Sequence, residues 1–228
     1  MANIRFTSAA KTNIARALLG ATILGTAFGA HMTSATAADK QPIDTVAGTA
    51  TVADHAERSR EAKAGVTAGE VLALAKSQVG ITENAAGGGT KFQRWYANSQ
   101  RAAETIARDG GSRADYLNAA WCAMFVSWVG DQTGARSQIG WDAWTVAHAK
   151  WFQANHRFGT EAKPGAIVYF SWSGSKDLND IKHVGFVEKD NGDGTISTVE
   201  GNTGNGKVEE RVRPKSQVVG YGYPQYRS

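Results

Sequence analysis

Cys122 is the only cysteine in the chain of 228 residues. A lone thiol is either packed and inert or kept for its reactivity. Further along, His183 and Glu200 stand on either side of Asn191-Gly-Asp-Gly194, a strong hairpin turn signal. With the turn centred between Gly192 and Asp193, His183 faces Asn202 and Glu200 faces Gly185. The two-residue period of a strand then sets His183 and Glu200 on one sheet face as diagonal neighbours, roughly 7–8 Å apart at the backbone. Gly185 leaves space for the glutamate to reach across, whereas a one-residue bulge would spoil this parity. A carboxylate beside an imidazole fixes the ring tautomer and supports its protonated form. Such a base needs a nucleophile, and Cys122 is the distinctive candidate.

The elements must bring the three together. Cys122 falls in the first turn of a helix expected from Trp121 to Asp131, where free N–H groups and the macrodipole favour a thiolate. The same N–H groups suit an oxyanion. Upstream, Thr67-Ala-Gly-Glu70 is a capping-box pattern opening a helix that ends before Gly80. A second amphipathic segment, 91–98, carries Phe92, Trp95 and Tyr96, and a further helix is expected over 142–155. Its stripe of Trp144, His148 and Trp151 reads as core for the two indoles and a helix-face position for the histidine. His156 reads as a loop residue, and Trp121 and Trp172 are the tryptophans expected on a cleft wall.

After Pro164 the period changes from 3.6 to 2. Strands are expected over 166–171, 183–188, 195–200, 207–212 and 218–223. Helices first and an antiparallel sheet second predict an α+β domain over residues 66–228.

Residues 1–37 read as a secretory signal peptide: Arg5, Lys11 and Arg16 without an acid, an apolar run from Ala17 to Ala30, then Ala35-Thr36-Ala37 as a cleavage site. Residues 38–65, rich in Ala, Thr and charge, read as a flexible linker, with a short helix possible at 55–64. Removing the signal takes the formal charge of +4 close to neutrality, so no basic surface argues for nucleic acid. No membrane span is expected after signal cleavage, since the apolar run is shorter than the ~20 residues a spanning helix needs. No His/Cys/Asp grouping has metal-ligand spacing, and Asp190–Gly194 fits a hairpin better than a calcium loop.

Three blocks carry a resemblance: Trp121-Cys-Ala-Met-Phe-Val-Ser-Trp128, Lys182-His-Val-Gly-Phe-Val187 and Val199-Glu-Gly-Asn-Thr203. In order, spacing and neighbours they resemble the CHAP domain family, the cysteine, histidine-dependent amidohydrolases/peptidases related to NlpC/P60 and papain-like enzymes. The resemblance covers residues 66–228. It implies a papain-like fold with N-terminal helices packed on an antiparallel sheet, and a catalytic pair at Cys122 and His183. Glu200 would orient His183, and Asn202 would be a polar supporter. It also implies cleavage of a peptidoglycan amide, either between sugar and stem peptide or within the peptides, by a secreted or wall-associated monomer needing no cofactor. Some members bind calcium just before the nucleophile, but Ala114–Trp121 lacks that acidic cluster, and no metal is expected. Residues 100–113 are longer than a minimal member needs and are a candidate for shaping the cleft. Two other readings stay open: a wall-binding or toxin-like protein keeping the fold without turnover, and a transglutaminase-like acyl transferase.

Overall fold

The computed structural model describes residues 65–228. The signal peptide expected at 1–37, the short helix at 55–64 and all but the last residue of the linker at 38–65 lie outside the described residues. No helix among those described is long and apolar enough to cross a membrane.

Helix α1 (Ala68–Lys76) begins as its capping box predicts: Thr67 Oγ1 accepts from the Glu70 N–H, and Glu70 Oε2 accepts from the Thr67 N–H at 2.7 Å. It buries Val71 and Ala75, while Val79 lies beyond its end and is exposed. Helix α2 (Lys91–Ala97) repeats the device with Thr90 and Gln93. Here the Gln93 amide is buried and donates to the carbonyls of Gly87 and Ala119, tying the glycine loop to the approach to Cys122.

The stretch at 100–113 turns out to be mostly helical, as α3 (Gln100–Asp109). Its buried residues are Ala102 and Thr105, and Ile106 is its one large apolar side chain, so the helical period is carried mainly by small residues. A 3₁₀ turn (Arg113–Asn118) leads to α4 (Cys122–Gln132), which is buried from Cys122 to Gly130 and forms the centre of the domain. A helix apolar on all sides belongs inside. A short turn, α5 (Arg136–Ile139), follows, and then α6 (Thr145–Ala154).

The start of α6 corrects the expected helix over 142–155. Asp142 accepts from the Trp144 N–H at 2.9 Å, a local side-chain bond that competes with helix. Trp144 therefore sits at the N-cap and is 60 % exposed, not in the core. Trp151 is half-buried. His148 is fully buried: its Nε2 donates to the Ile139 carbonyl at 2.6 Å, and its Nδ1 accepts from the Tyr169 hydroxyl at 3.1 Å.

The strands are β1 (Phe158–Gly159), β2 (Ile167–Phe170), β3 (His183–Asp190), β4 (Thr195–Thr203), β5 (Lys207–Pro214) and β6 (Val218–Gly222). They form one antiparallel sheet in the order β1-β6-β2-β3-β4-β5. The two-residue β1 carried no strand signal. The main core lies between the helices and the sheet, and a smaller apolar cluster including Val168, Val187 and Ile196 covers the other sheet face. The result is the expected α+β architecture, helices packed with an antiparallel sheet, consistent with a papain-like domain.

The β3–β4 hairpin holds the register that matters in an unexpected way. Phe186 faces Val199 and Val187 faces Thr198, as a turn centred between Gly192 and Asp193 requires. Nearer the turn, Lys189 faces Ser197 and Asp190 faces Ile196, one position out of that register. A bulge between Val187 and Lys189 absorbs the extra residue and restores the pairing before the site is reached.

Candidate active site

Cys122 is the first residue of α4, and the N-cap, Trp121, contributes no side-chain hydrogen bond. The orphan N–H groups of that turn, with the positive end of the helix dipole, thus surround the thiol without a protein cap. Helix α4 packs on β3 and β4. Gly201 permits the closeness: a Cβ there would lie 2.6 Å from Cβ of Phe125 and 2.9 Å from the Trp121 indole. The backbone of β4 thereby lies directly against the first turns of α4.

His183 opens β3 and is buried, as is Cys122. Its Nε2 bonds Glu200 Oε2 at 2.9 Å. With Nε2 engaged by Glu200, Nδ1 is the ring nitrogen left to face the Cys122 thiol, to which the ring is electrostatically coupled. Gly185 supplies the space expected of it, since a Cβ there would stand 2.7 Å from Cγ of Glu200. Phe170 and Trp172 cover the imidazole, with ring centroids 6.0 and 5.5 Å away.

Glu200 is fully buried, and every bond it accepts is accounted for by nearby donors. Oε1 takes the Thr198 hydroxyl at 2.6 Å and Arg213 Nε at 2.9 Å. Oε2 takes His183 and a terminal nitrogen of Arg213 at 2.6 Å. The same Arg213 nitrogen donates to Thr203 Oγ1 at 2.9 Å, and the guanidinium lies 5.1 Å from the Trp172 ring. Such a two-pronged arginine–carboxylate pair fixes orientation as well as charge.

The electrostatics follow from these contacts. Burial pushes the Glu200 carboxyl up, but Arg213, then His183, outweigh it and hold the pKa at about 2. Burial pulls the His183 ring down, while its bonds to Cys122 and Glu200 outweigh that and raise the pKa to about 9. The imidazolium is thus the favoured form at neutral pH, beside a sulfur at a helix N-terminus.

The structure therefore brings Cys122, His183 and Glu200 together. Asn202 has a different place. It sits in a bulged stretch of β4 with a left-handed backbone (φ 55°), half-exposed, and no hydrogen bond joins its side chain to His183 or Glu200. Trp121 does not line a cleft: its ring is fully buried, stacked on Phe92 at 5.3 Å, and its Nε1 donates to Glu83. Trp172 is 46 % exposed and stands over His183, as a wall residue should. Sequence reasoning missed Arg213. Alternation along Lys207–Arg213 offers both Arg211 and Arg213, opposite Thr198 and Ile196, and of the two it is Arg213 that bonds the carboxylate.

A thiol at a helix start, an imidazole and a buried carboxylate, carried by separate elements of an α+β domain, thus meet at one site. Residues 114–202 match the family model of the CHAP domain. That domain implies a hydrolase of the amidase/peptidase type. The matched stretch includes Cys122, His183, Glu200 and Asn202 and stops short of Arg213. Comparisons with curated proteins and with solved structures return no match.

Proposed function

We propose that the chain is an exported peptidoglycan hydrolase that cleaves an amide bond through a Cys122 acyl-enzyme. The observation that carries this reading is the assembly of Cys122, His183 and Glu200 at one site, with Nε2 of the ring held at 2.9 Å from the carboxylate. In this mechanism the Cys122 sulfur attacks the amide carbonyl carbon, and the resulting oxyanion is met by N–H groups of the first α4 turn. His183 gives its Nδ1 proton to the leaving amine as the C–N bond breaks. A water then attacks the thioester, losing a proton to His183, and the C–S bond breaks to release the acid and restore the pair. Glu200 remains ionised throughout and orients the ring, and Trp172 forms the substrate-side wall over it.

The substrate class rests on the CHAP domain and on the export signal read at 1–37. Purified walls incubated with the mature chain should lose turbidity and release either free stem peptides or cut cross-links, which mass spectrometry distinguishes. Cys122→Ala should lower the rate at least about a thousandfold. Equal clearing by both proteins would refute the thiol mechanism. Rapid alkylation of Cys122 in the folded chain separates this enzyme from a packed, inert thiol, which would react only after unfolding.

A further inference from the structure

A concave surface is lined by residues other than those of the Cys122 site. It is a groove of about 660 Å³ built by α3, α5, the segment before α6, and α6 itself. None of Cys122, His183, Glu200 or Trp172 lines it. Cys122 opens α4, whose last residue, Gln132, lies about 15 Å away along the helix, and the groove residues Arg136 and Ser137 follow on α5. Arg136, in its wall, is ion-paired with Asp131 near the end of α4.

The lining has an unusual composition. Trp141, Trp144 and Trp151 supply indole rings, of which Trp141 already carries the Arg136 guanidinium at 4.4 Å and Trp151 that of Arg157 at 4.7 Å, and Ala147 is the only aliphatic side chain among the lining residues. Trp144 is the most open of the three, being 60 % exposed at the N-cap of α6. Four cationic side chains stand against one carboxylate, Asp142. Three of these cations are committed: Arg101 to Asp142, Arg108 to Asp109 and Arg136 to Asp131. Lys150 is the exception. It bonds the neutral amide of Asn179 at 2.8 Å and has no carboxylate partner among the described residues. His148, at the back, adds no charge, because both ring nitrogens are used in a neutral pattern with Ile139 and Tyr169.

We infer that this groove binds an acidic saccharide chain, with a sugar ring on Trp144 and a carboxylate at Lys150. Indole faces with almost no aliphatic lining suit the C–H faces of pyranose rings and not acyl chains. One uncommitted cation among paired ones suits a polymer with carboxylates spaced apart, not a dense run of phosphates. As Cys122, His183 and Glu200 do not line it, the groove would hold the polymer without taking part in bond cleavage. Its function is thus independent of the hydrolytic reading.

The test is direct binding by the full mature chain, read by calorimetry and tryptophan fluorescence. The probes are peptide-free glycan strands bearing lactyl carboxylates, a neutral N-acetylglucosamine hexamer, and polyglycerol phosphate. The carboxylated glycan should bind, with the neutral hexamer at least about tenfold weaker and affinity falling as salt rises. Trp144→Ala and Lys150→Gln should each weaken binding about tenfold, and Lys150→Arg should restore it. Both positions lie at the surface, so melting temperature and hydrolysis of a short soluble peptide amide should stay at wild-type values. Unchanged binding in both variants overturns the assignment, as does the absence of any glycan binding. Equal or tighter binding of polyglycerol phosphate also overturns it, in favour of a phosphate site.

Discussion

At the scale of single residues, Glu200 carries two duties that pull against each other. It must stay ionised while fully buried, and it must face His183 with one oxygen. Arg213 resolves the conflict by occupying both carboxylate oxygens. Arg213→Met should therefore cost about 3 kcal/mol of stability, because it strands a buried charge. It should also lower kcat/KM at least about tenfold through a looser imidazole. The discriminating readout is the pH profile. With His183 raised to about 9 by Cys122 and Glu200 against the pull of burial, wild-type activity should fall as pH rises through about 9. In Arg213→Met that alkaline fall should move, whereas a purely structural loss would lower the whole curve without moving it.

At the scale of elements, two glycines decide whether the site assembles. Gly201 lets β4 approach α4, and Gly185 vacates the space that Glu200 crosses. Gly201→Ala should separate the strand from the nucleophile helix, costing about 1–3 kcal/mol of overpacking and at least about tenfold in kcat. Gly185→Ala should push Glu200 aside instead, so its activity loss should come with an altered alkaline limit. Denaturant midpoints and pH–rate curves on both variants separate the two effects. The capping boxes, the nucleophile helix and five of the strands were all legible, because each carries a local signal of period or turn chemistry. Helix α3 was not, since its apolar face is made of alanines with Ile106 as the one large side chain, a faint signal. Trp144 was misplaced because the bond from Asp142 to its N–H delays the helix, a competition that period alone does not register.

Over the whole molecule, the buried charges tie stability to pH in a definite direction. Glu200 is depressed from 4.5 to about 2, so its contribution is full above 4.5 and lost as pH falls through about 2. His183 is raised from 6.5 to about 9, so its contribution is full below 6.5 and lost as pH rises through about 9. Both contributions are full together only between pH 4.5 and 6.5. Urea midpoints measured across pH should peak in that window, and Glu200→Gln should flatten the profile on both sides. A profile unchanged by Glu200→Gln would show that other groups govern it.

The sequence by itself determined which residues had chemistry to offer and which local elements would carry them. A lone cysteine at a helix start and a histidine and glutamate flanking a hairpin turn are short-range facts. Even there, the diagonal pairing of His183 with Glu200 survives because a bulge in β3 compensates for a turn one position out of register. Tertiary structure alone decided what lies between elements: that β4 touches α4 at Gly201, that Trp121 is sealed in the core, and that Arg213 holds Glu200. The reason is physical. Periodicity and turn preferences act over a few residues, whereas burial and ion pairing depend on surfaces that meet only when the chain has folded.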